Sequence, residues 1–250
     1  MYILDMNFLQ QGDVILTADR TLLSKGVRYP TLGRFSHAII YVGDGSYIHS
    51  DGKGVHADNI QRLLFKSKKH VVVLRPKQQK YVEFACIFAR TQVGKEYSAK
   101  EAVRTIKNAL VAKETNRQFC SRLVAQAYSE AGIKISSNID YCTPKKIHKS
   151  DEFFAIKKCI RIATNPEINF ANSYNPLKDQ KQIFNDILKF ARKITNSDIQ
   201  TFDQLVDILL SKPQFDHDIS NFMKKSGYFD MWRYEYANNR WRYDYGSLIT

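Results

Sequence analysis

Short apolar runs separated by turn residues dominate the first eighty positions of the chain. The longest run covers residues 37–42, stops at Gly43-Asp44-Gly45, and resumes over 47–50. Runs of β-branched and aliphatic residues that flank a glycine-rich turn are typical of a β-hairpin. The same pattern predicts further strands over 12–17, 55–57 and 70–75. These elements indicate an antiparallel sheet in the N-terminal part of the chain.

Helical periodicity replaces the strand pattern after residue 80. Apolar residues recur at three- and four-residue spacing and predict helices that end at Gly94 and Gly132. The predicted helices are 80–93, 98–112 and 119–131, with a short helical turn over 59–64. Residues 141–154 mix turn and extended patterns, and 153–162 is predicted to form a final strand.

A change of character follows residue 164. Residues 165–176 are rich in Asn and Pro and are predicted to be a linker. Beyond them, three helices are predicted over 176–194, 202–211 and 216–225. The aromatic and arginine-rich end of the chain is predicted to pack back on its own domain. We therefore expect an α+β domain over 1–164 and a helical C-terminal extension over 165–250.

Composition and charge indicate the location of the protein and the kind of partner it binds. The first twenty residues lack the apolar core of a signal peptide, and no apolar run approaches about 18 residues. We therefore expect a cytoplasmic protein, or one exported without a signal peptide. The net charge of +13 favours an anionic partner, such as an anionic membrane surface or a cell-wall polymer. No nucleic-acid-binding motif is present, so no specific nucleic-acid partner is expected.

Of the four cysteines, Cys120 is the best candidate for a nucleophile. It stands at the predicted start of a helix, where the backbone N–H groups lower a thiol pKa and can hold an oxyanion. Cys86 and Cys159 fall among apolar neighbours, and Cys142, in a predicted loop, is the only competitor. No pair has CxxC spacing, so free thiols are expected.

Two histidines of the hairpin are candidates to serve that nucleophile. Pairing of the two strands would bring His37 near residue 49 or 50. His37 is then the candidate base, and His49 the candidate group that orients its ring, with His56 as the alternative. The histidines lack helical i, i+4 spacing and nearby carboxylates, so neither a metal nor another cofactor is expected.

Several segments, in this order, resemble a known family of cysteine hydrolases. Residues 36–43 and 47–50 look like the His-containing half of the NlpC/P60 papain-like peptidases. In that family the Cys half comes first, whereas here 119–124 follows the His half. This order is similar to the circularly permuted branch, the YiiX/YebB/YaeF-like enzymes related to the lecithin:retinol acyltransferase-like proteins. Further matches to that branch are 12–15, 94–97 and 143–147.

The resemblance implies a permuted papain-like fold, an antiparallel sheet packed on helices, and a cysteine hydrolase or acyltransferase. Cys120 would attack an amide, ester or thioester carbonyl, His37 would act as base, and His49 would complete a catalytic triad. Many permuted members carry Glu at the position of His49. The predicted substrate-binding residues are Tyr97, Ser36 and Ser121. The substrate would be a peptidoglycan-type peptide or a lipid or acyl conjugate. The alternative is a non-catalytic lipid- or protein-binding module on the same scaffold.

Overall fold

The computed structural model describes residues 1–18, 34–96 and 119–238. The chain divides into two compact units, Met1–Tyr174 and Asn175–Thr250. The division therefore falls later than the predicted boundary after residue 164. The predicted helix over 98–112 lies outside the described residues.

A six-stranded sheet forms the centre of the first unit, and all its neighbouring strands run antiparallel. The predicted fold class, α+β with an antiparallel sheet, is confirmed. In spatial order the strands are β5 (Gly54–Asn59), β4 (Ser46–Asp51), β3 (His37–Gly43), β2 (Val14–Thr17), β6 (Val71–Pro76) and β7 (Phe153–Ile156).

The predicted hairpin is formed by β3 and β4. Asp44 and its two flanking glycines adopt positive φ angles at the turn, a conformation that glycine tolerates and aspartate reaches more readily than most residues. A bulge between Tyr41 and Gly43 shifts the register, so Ile39 lies opposite His49. His37 and Ile39 share a face because side chains alternate along a strand. His37 is therefore a diagonal neighbour of His49.

The single final strand predicted over 153–162 is wrong. The segment instead forms β7 and a second short strand, β8 (Ile160–Ile162), which pairs with β1 (Tyr2–Leu4) in a separate two-stranded sheet. Residues 157–159 form a turn between them. The buried Cys159 closes this turn, because its thiol donates to the Ile156 carbonyl at 3.1 Å.

Two helices cover one face of the sheet and provide most of its core. They are α1 (Val82–Thr91) and α2 (Cys120–Glu130), and their apolar faces are fully buried. Leu123, Val124 and Ala127 of α2 share a cluster with Ala38 and Ile40 of β3. This packing holds the start of α2 near the start of β3.

Two further helices occupy segments predicted to be irregular. Residues 144–148 form α3 (Pro144–His148), because the Thr143 side chain accepts from the Lys146 N–H and proline suits the first turn. The predicted linker contains α4 (Asn165–Asn172), which begins with a capping box between Thr164 and Glu167. The predicted mixture of turn and extended structure over 141–154 and the predicted linker over 165–176 therefore each contain a helix that was not predicted.

Within the first unit, Arg62 binds the C-terminal end of α4. Its guanidinium donates to the carbonyls of Phe170 at 3.0 Å, Ser173 at 2.9 Å and Tyr174 at 3.0 Å. The same group lies over the Phe170 ring. Carbonyls at a helix end lack intrahelical donors, so this arginine satisfies them.

The second unit is helical, and the three helices predicted there are confirmed. Its core consists mainly of aliphatic side chains, and Phe190 stacks on Phe222. A fourth helix follows, in which Tyr228 packs against Phe202 whereas Tyr234 is exposed. Among the described residues, no helix is long and apolar enough to cross a membrane. The helices are α5 (Pro176–Thr195), α6 (Phe202–Ser211), α7 (Asp216–Lys225) and α8 (Tyr228–Asn238).

A Gly12→Ala substitution is expected to destabilise the first unit strongly. Gly12 has φ +85°, and a Cβ there would overlap the Val82 side chain. Gly132 also has positive φ but no heavy atom near its Cβ position, so Gly132→Ala isolates the backbone strain. We expect a loss of about 1 kcal/mol for Gly132→Ala and a further loss of about 1–3 kcal/mol for Gly12→Ala. Urea unfolding measures both, and equal losses would contradict the overlap.

Candidate active site

Cys120 is the first residue of α2. Phe119 before it is extended, with φ −138° and ψ 161°, and provides no side-chain cap. The buried face of α2 fixes the helix on the sheet, so the thiol lies beneath the surface, with 7% of Cys120 exposed. The first-turn N–H groups of a helix carry partial positive charge, which favours a negative group at this position.

The Cys120 thiol is neutral in the resting protein. Burial raises its pKa to about 11, and hydrogen bonds from backbone N–H groups, first among them that of Ala38, offset only part of this. The contact with Ala38 places the sulfur beside the residue that follows His37. The buried thiol and the candidate base therefore meet at the start of β3.

His37 is also neutral and is held by His49. Burial lowers the pKa of His37 to about 4, although the Asp51 carboxylate acts in the opposite direction. Its Nε2 lies 2.8 Å from His49 Nδ1. Its Nδ1 is buried and has no hydrogen-bond partner within residues 1–18, 34–96 and 119–238. The Cys120 thiol therefore does not bond to His37 in this resting arrangement.

His49 contacts His37 directly, whereas His56 lies one strand further away. The rings of His49 and His56 meet edge to face, with centroids 4.2 Å apart. Nδ1 of His56 lies 3.0 Å from the Gly54 carbonyl, and its Nε2 lies 3.4 Å from the Asp51 carboxylate. Of the two predicted orienting histidines, His49 is the one that contacts the candidate base His37.

Asp51 is the residue that sequence reasoning missed. The expectation that no carboxylate lies near the histidines was wrong, because Asp51 shares β4 with His49 and lies 3.4 Å from His56 on the neighbouring strand β5. The two-residue separation from His49 would have revealed it, since residues i and i+2 of a strand point to the same face.

Two of the three predicted substrate-binding residues lie among the described residues, Ser36 just before β3 and Ser121 in α2. The Ser36 hydroxyl lies 3.5 Å from the Thr17 carbonyl, at the start of β3. Ser121 is buried and donates to the Cys142 carbonyl at 2.8 Å, which fixes the first turn of α2. Tyr97 lies outside the described residues. The assignment of these residues to substrate binding stays a prediction.

The other three cysteines also have free, buried thiols. Cys86 lies on the apolar face of α1 and contacts the Tyr41 carbonyl at 3.8 Å. Burial raises the pKa of Cys142 to about 12 and that of Cys159 to about 11. Cys120 differs from them in lying at a helix N-terminus.

Alkylation of Cys120 by iodoacetamide is expected to be slow at neutral pH and to accelerate about tenfold per pH unit from pH 7 to 10. Iodoacetamide reacts with the thiolate, whose fraction rises tenfold per unit below a pKa of about 11. Peptide mass spectrometry measures the rate, and the urea-unfolded protein is the control, with a plateau above about pH 9. A plateau already at pH 7 in the folded protein would show a preformed thiolate–imidazolium pair instead.

One family model matches the chain over more than half of its length. Residues 8–157 match the model of the permuted papain-like amidase enzymes, YaeF/YiiX, of the C92 family. The chain is also similar to a solved structure described as metalloprotein yiiX from Escherichia coli O157:H7, with 18% identity and a TM-score of 0.45. That similarity covers 60% of this chain and 97% of the other. No curated protein matches.

The family match covers more than half of the chain and includes all the elements that build the site. It extends from the strand lead-in through the His37 hairpin and Cys120 to β7. The helix-start Cys120 and the strand residue His37 thus both lie within the matched residues. The chain belongs to the permuted papain-like amidases of the YaeF/YiiX family.

Proposed function

We propose that the protein hydrolyses an amide bond with Cys120 as nucleophile, His37 as general base and His49 as the residue that orients His37. The observation that carries the proposal is the shared location of the three groups. The Cys120 sulfur lies close enough to the backbone N–H of Ala38, the residue after His37, for that N–H to lower its pKa, and His49 Nδ1 lies 2.8 Å from His37 Nε2. A ring held at Nε2 turns its Nδ1 to the nucleophile.

The proposed reaction has two stages, formation of a thioester on Cys120 and its hydrolysis. His37 Nδ1 takes the thiol proton as the Cys120 sulfur attacks the substrate carbonyl, and the N-terminal end of α2 stabilises the oxyanion. His37 then gives that proton to the leaving amine, and a thioester remains on Cys120. A water molecule, deprotonated by His37, hydrolyses the thioester and regenerates the thiol.

General-base catalysis fits the resting protein better than a preformed ion pair. Burial raises the pKa of Cys120 and lowers that of His37, so both groups are neutral near pH 7. We propose that the hydrogen bond between them forms in the substrate complex, because catalytic contacts that are long in a free enzyme often shorten when substrate binds. Binding of substrate thus provides the alignment for proton transfer.

Two substrate classes follow from the resemblance to this branch, peptidoglycan-type peptides and lipid or acyl conjugates. Both are carried on anionic surfaces, a cell-wall polymer or a membrane, which suits a protein of net charge +13. We propose that such a surface concentrates the enzyme near its substrate. Cytoplasmic location or export without a signal peptide is compatible with either class.

A substrate panel tests the proposal. Purified muropeptides and N-fatty-acyl amino acids are each incubated with the native protein and with Cys120→Ser, and released amines are quantified by mass spectrometry. We expect one class to be cleaved by the native protein and neither by the variant. Cleavage of equal rate by both proteins would overturn the assignment of Cys120.

A binding module on the same scaffold is the second candidate. The observation that favours it is the buried Cys120 thiol, which has a raised pKa and no hydrogen bond to His37. This function predicts that the native protein binds vesicles or cell-wall fragments and releases no amine from either substrate class. Binding that is unchanged in Cys120→Ser, together with no turnover, would establish it.

A further inference from the structure

Three metal-binding side chains converge beside the candidate site. His49 and Asp51 lie on β4, and His56 lies directly opposite His49 on β5. One donor atom of each lies within 4.8 Å of the other two. His49 and His56 are almost completely buried, and 14% of the Asp51 side chain is exposed. Buried polar donors gathered in this way fit a bound cation.

The spacing of the donors suits a tetrahedral ion. His56 Nε2 lies 3.4 Å from Asp51 Oδ2. Zinc binds imidazole nitrogen and carboxylate oxygen at about 2.0–2.2 Å, so two ligands at a tetrahedral angle are separated by about 3.4 Å. This pair is therefore already at the separation that a shared zinc ion requires. Small side-chain movements would bring His49, whose donor atom lies within 4.8 Å of the other two, to the same ion.

The hydrogen bond of His56 also prepares it as a ligand. Its Nδ1 lies 3.0 Å from the Gly54 carbonyl, which accepts only from an N–H. The proton of a neutral ring is thus on Nδ1, and the Nε2 lone pair faces the Asp51 carboxylate. Two electron-rich atoms at this distance need a proton or a cation between them, and a carbonyl behind a metal-binding histidine is the usual outer partner.

We propose that His49, Asp51 and His56 bind a divalent transition-metal ion of the zinc type. His49 binds through Nε2, because its Nδ1 is engaged with His37. Three protein ligands leave a fourth position for water, on the side where Asp51 reaches solvent. In protein molecules that hold a proton between His56 and Asp51, metal binding releases that proton to solvent.

The ion also controls the base, a consequence that rests on the proposed function. A neutral His49 that gives its Nε2 lone pair to a metal carries its proton on Nδ1 and donates it to His37 Nε2. The proton of His37 is then on Nδ1, the atom that must accept from Cys120. Metal binding thus fixes the wrong tautomer of His37 and inhibits hydrolysis.

Metal binding is tested apart from catalysis in the Cys120→Ser background, which removes the thiol as a competing ligand. Co²⁺ and Zn²⁺ are titrated by absorption spectroscopy and calorimetry. We expect one ion per chain, and a loss of affinity of about tenfold or more in Asp51→Asn and His56→Gln. Asp44→Asn, which removes the same charge at the hairpin turn, is the control. No binding, or equal binding in all variants, would overturn the site.

The tautomer of His37 is measured on the native protein, so this test does not require any variant to fold. Nitrogen-15 histidine spectra are expected to show the His37 proton on Nε2 without Zn²⁺ and on Nδ1 with it. Hydrolysis by native protein should be inhibited by Zn²⁺ at about tenfold lower concentration than hydrolysis by Asp51→Asn. If Zn²⁺ binds and the His37 tautomer stays unchanged, the proposed inhibition by metal is wrong. If the ion binds and the native protein hydrolyses no substrate, the metal site stands and the proposed function is wrong.

Discussion

A Cys120→Ser variant is expected to lose amide hydrolysis by about 10⁴-fold or more while it keeps its fold. The serine hydroxyl is a much weaker nucleophile than a thiolate, and His37, neutral with a pKa near 4, cannot remove its proton as readily. Initial rates of amine release on the best substrate of the panel measure the loss. Circular dichroism and thermal unfolding establish that the fold is intact.

Cys86→Ser is the matched control for that experiment. Cys86 is buried on α1, and its sulfur contacts the Tyr41 carbonyl, a contact that a hydroxyl can replace. We expect its rate to stay within about threefold of the native rate. Comparable losses in both variants would show that the effect comes from the fold and not from the nucleophile.

A His49→Leu variant is expected to lower kcat by about 10²–10⁴-fold with little change in KM. The leucine cannot accept from His37 Nε2, so the ring loses the tautomer and orientation that serve Cys120. His49→Asn is expected to recover part of the rate, because its amide oxygen restores an acceptor. Steady-state kinetics and nitrogen-15 spectra of His37 measure both effects.

The kcat and KM values distinguish a role of His49 in positioning His37 from a general disturbance of the fold. A histidine with no place in the site, the exposed His217 of α7, provides the control His217→Leu. We expect its kinetics to match the native protein. If His49→Asn were as inactive as His49→Leu, with an unaltered His37 tautomer, His49 would support the structure and not the base.

Elements determined by local patterns were predictable from the sequence. The hairpin followed from strand runs on either side of Gly43-Asp44-Gly45, and the helix at Cys120 followed from its apolar spacing and Gly132. Both depend on neighbours close in sequence. The misread segments, α3 and α4, start at proline-containing caps whose side-chain bonds decide between turn and helix.

The chemistry of the site could be predicted only in part. The residue types and their order along the chain indicated Cys120 and His37, but the protonation of both depends on how deeply they are buried, which the sequence does not reveal. The bulge after Tyr41 set the hairpin register. The spacing of Asp51 and His49 along β4 could have indicated a shared face, but the contact of Asp51 with His56 depends on the pairing of β4 with β5.

Acylation of Cys120 tests the central claim most directly. Native protein and His37→Gln are mixed with a p-nitrophenyl fatty-acyl ester in a rapid quench, and the acylated residue is identified by peptide mass spectrometry. We expect a thioester on Cys120 in the native protein, formed about 10²-fold or more slowly in the variant. Equal rates in the two proteins, or acylation of Cys86, Cys142 or Cys159 instead, would contradict catalysis by Cys120 and His37.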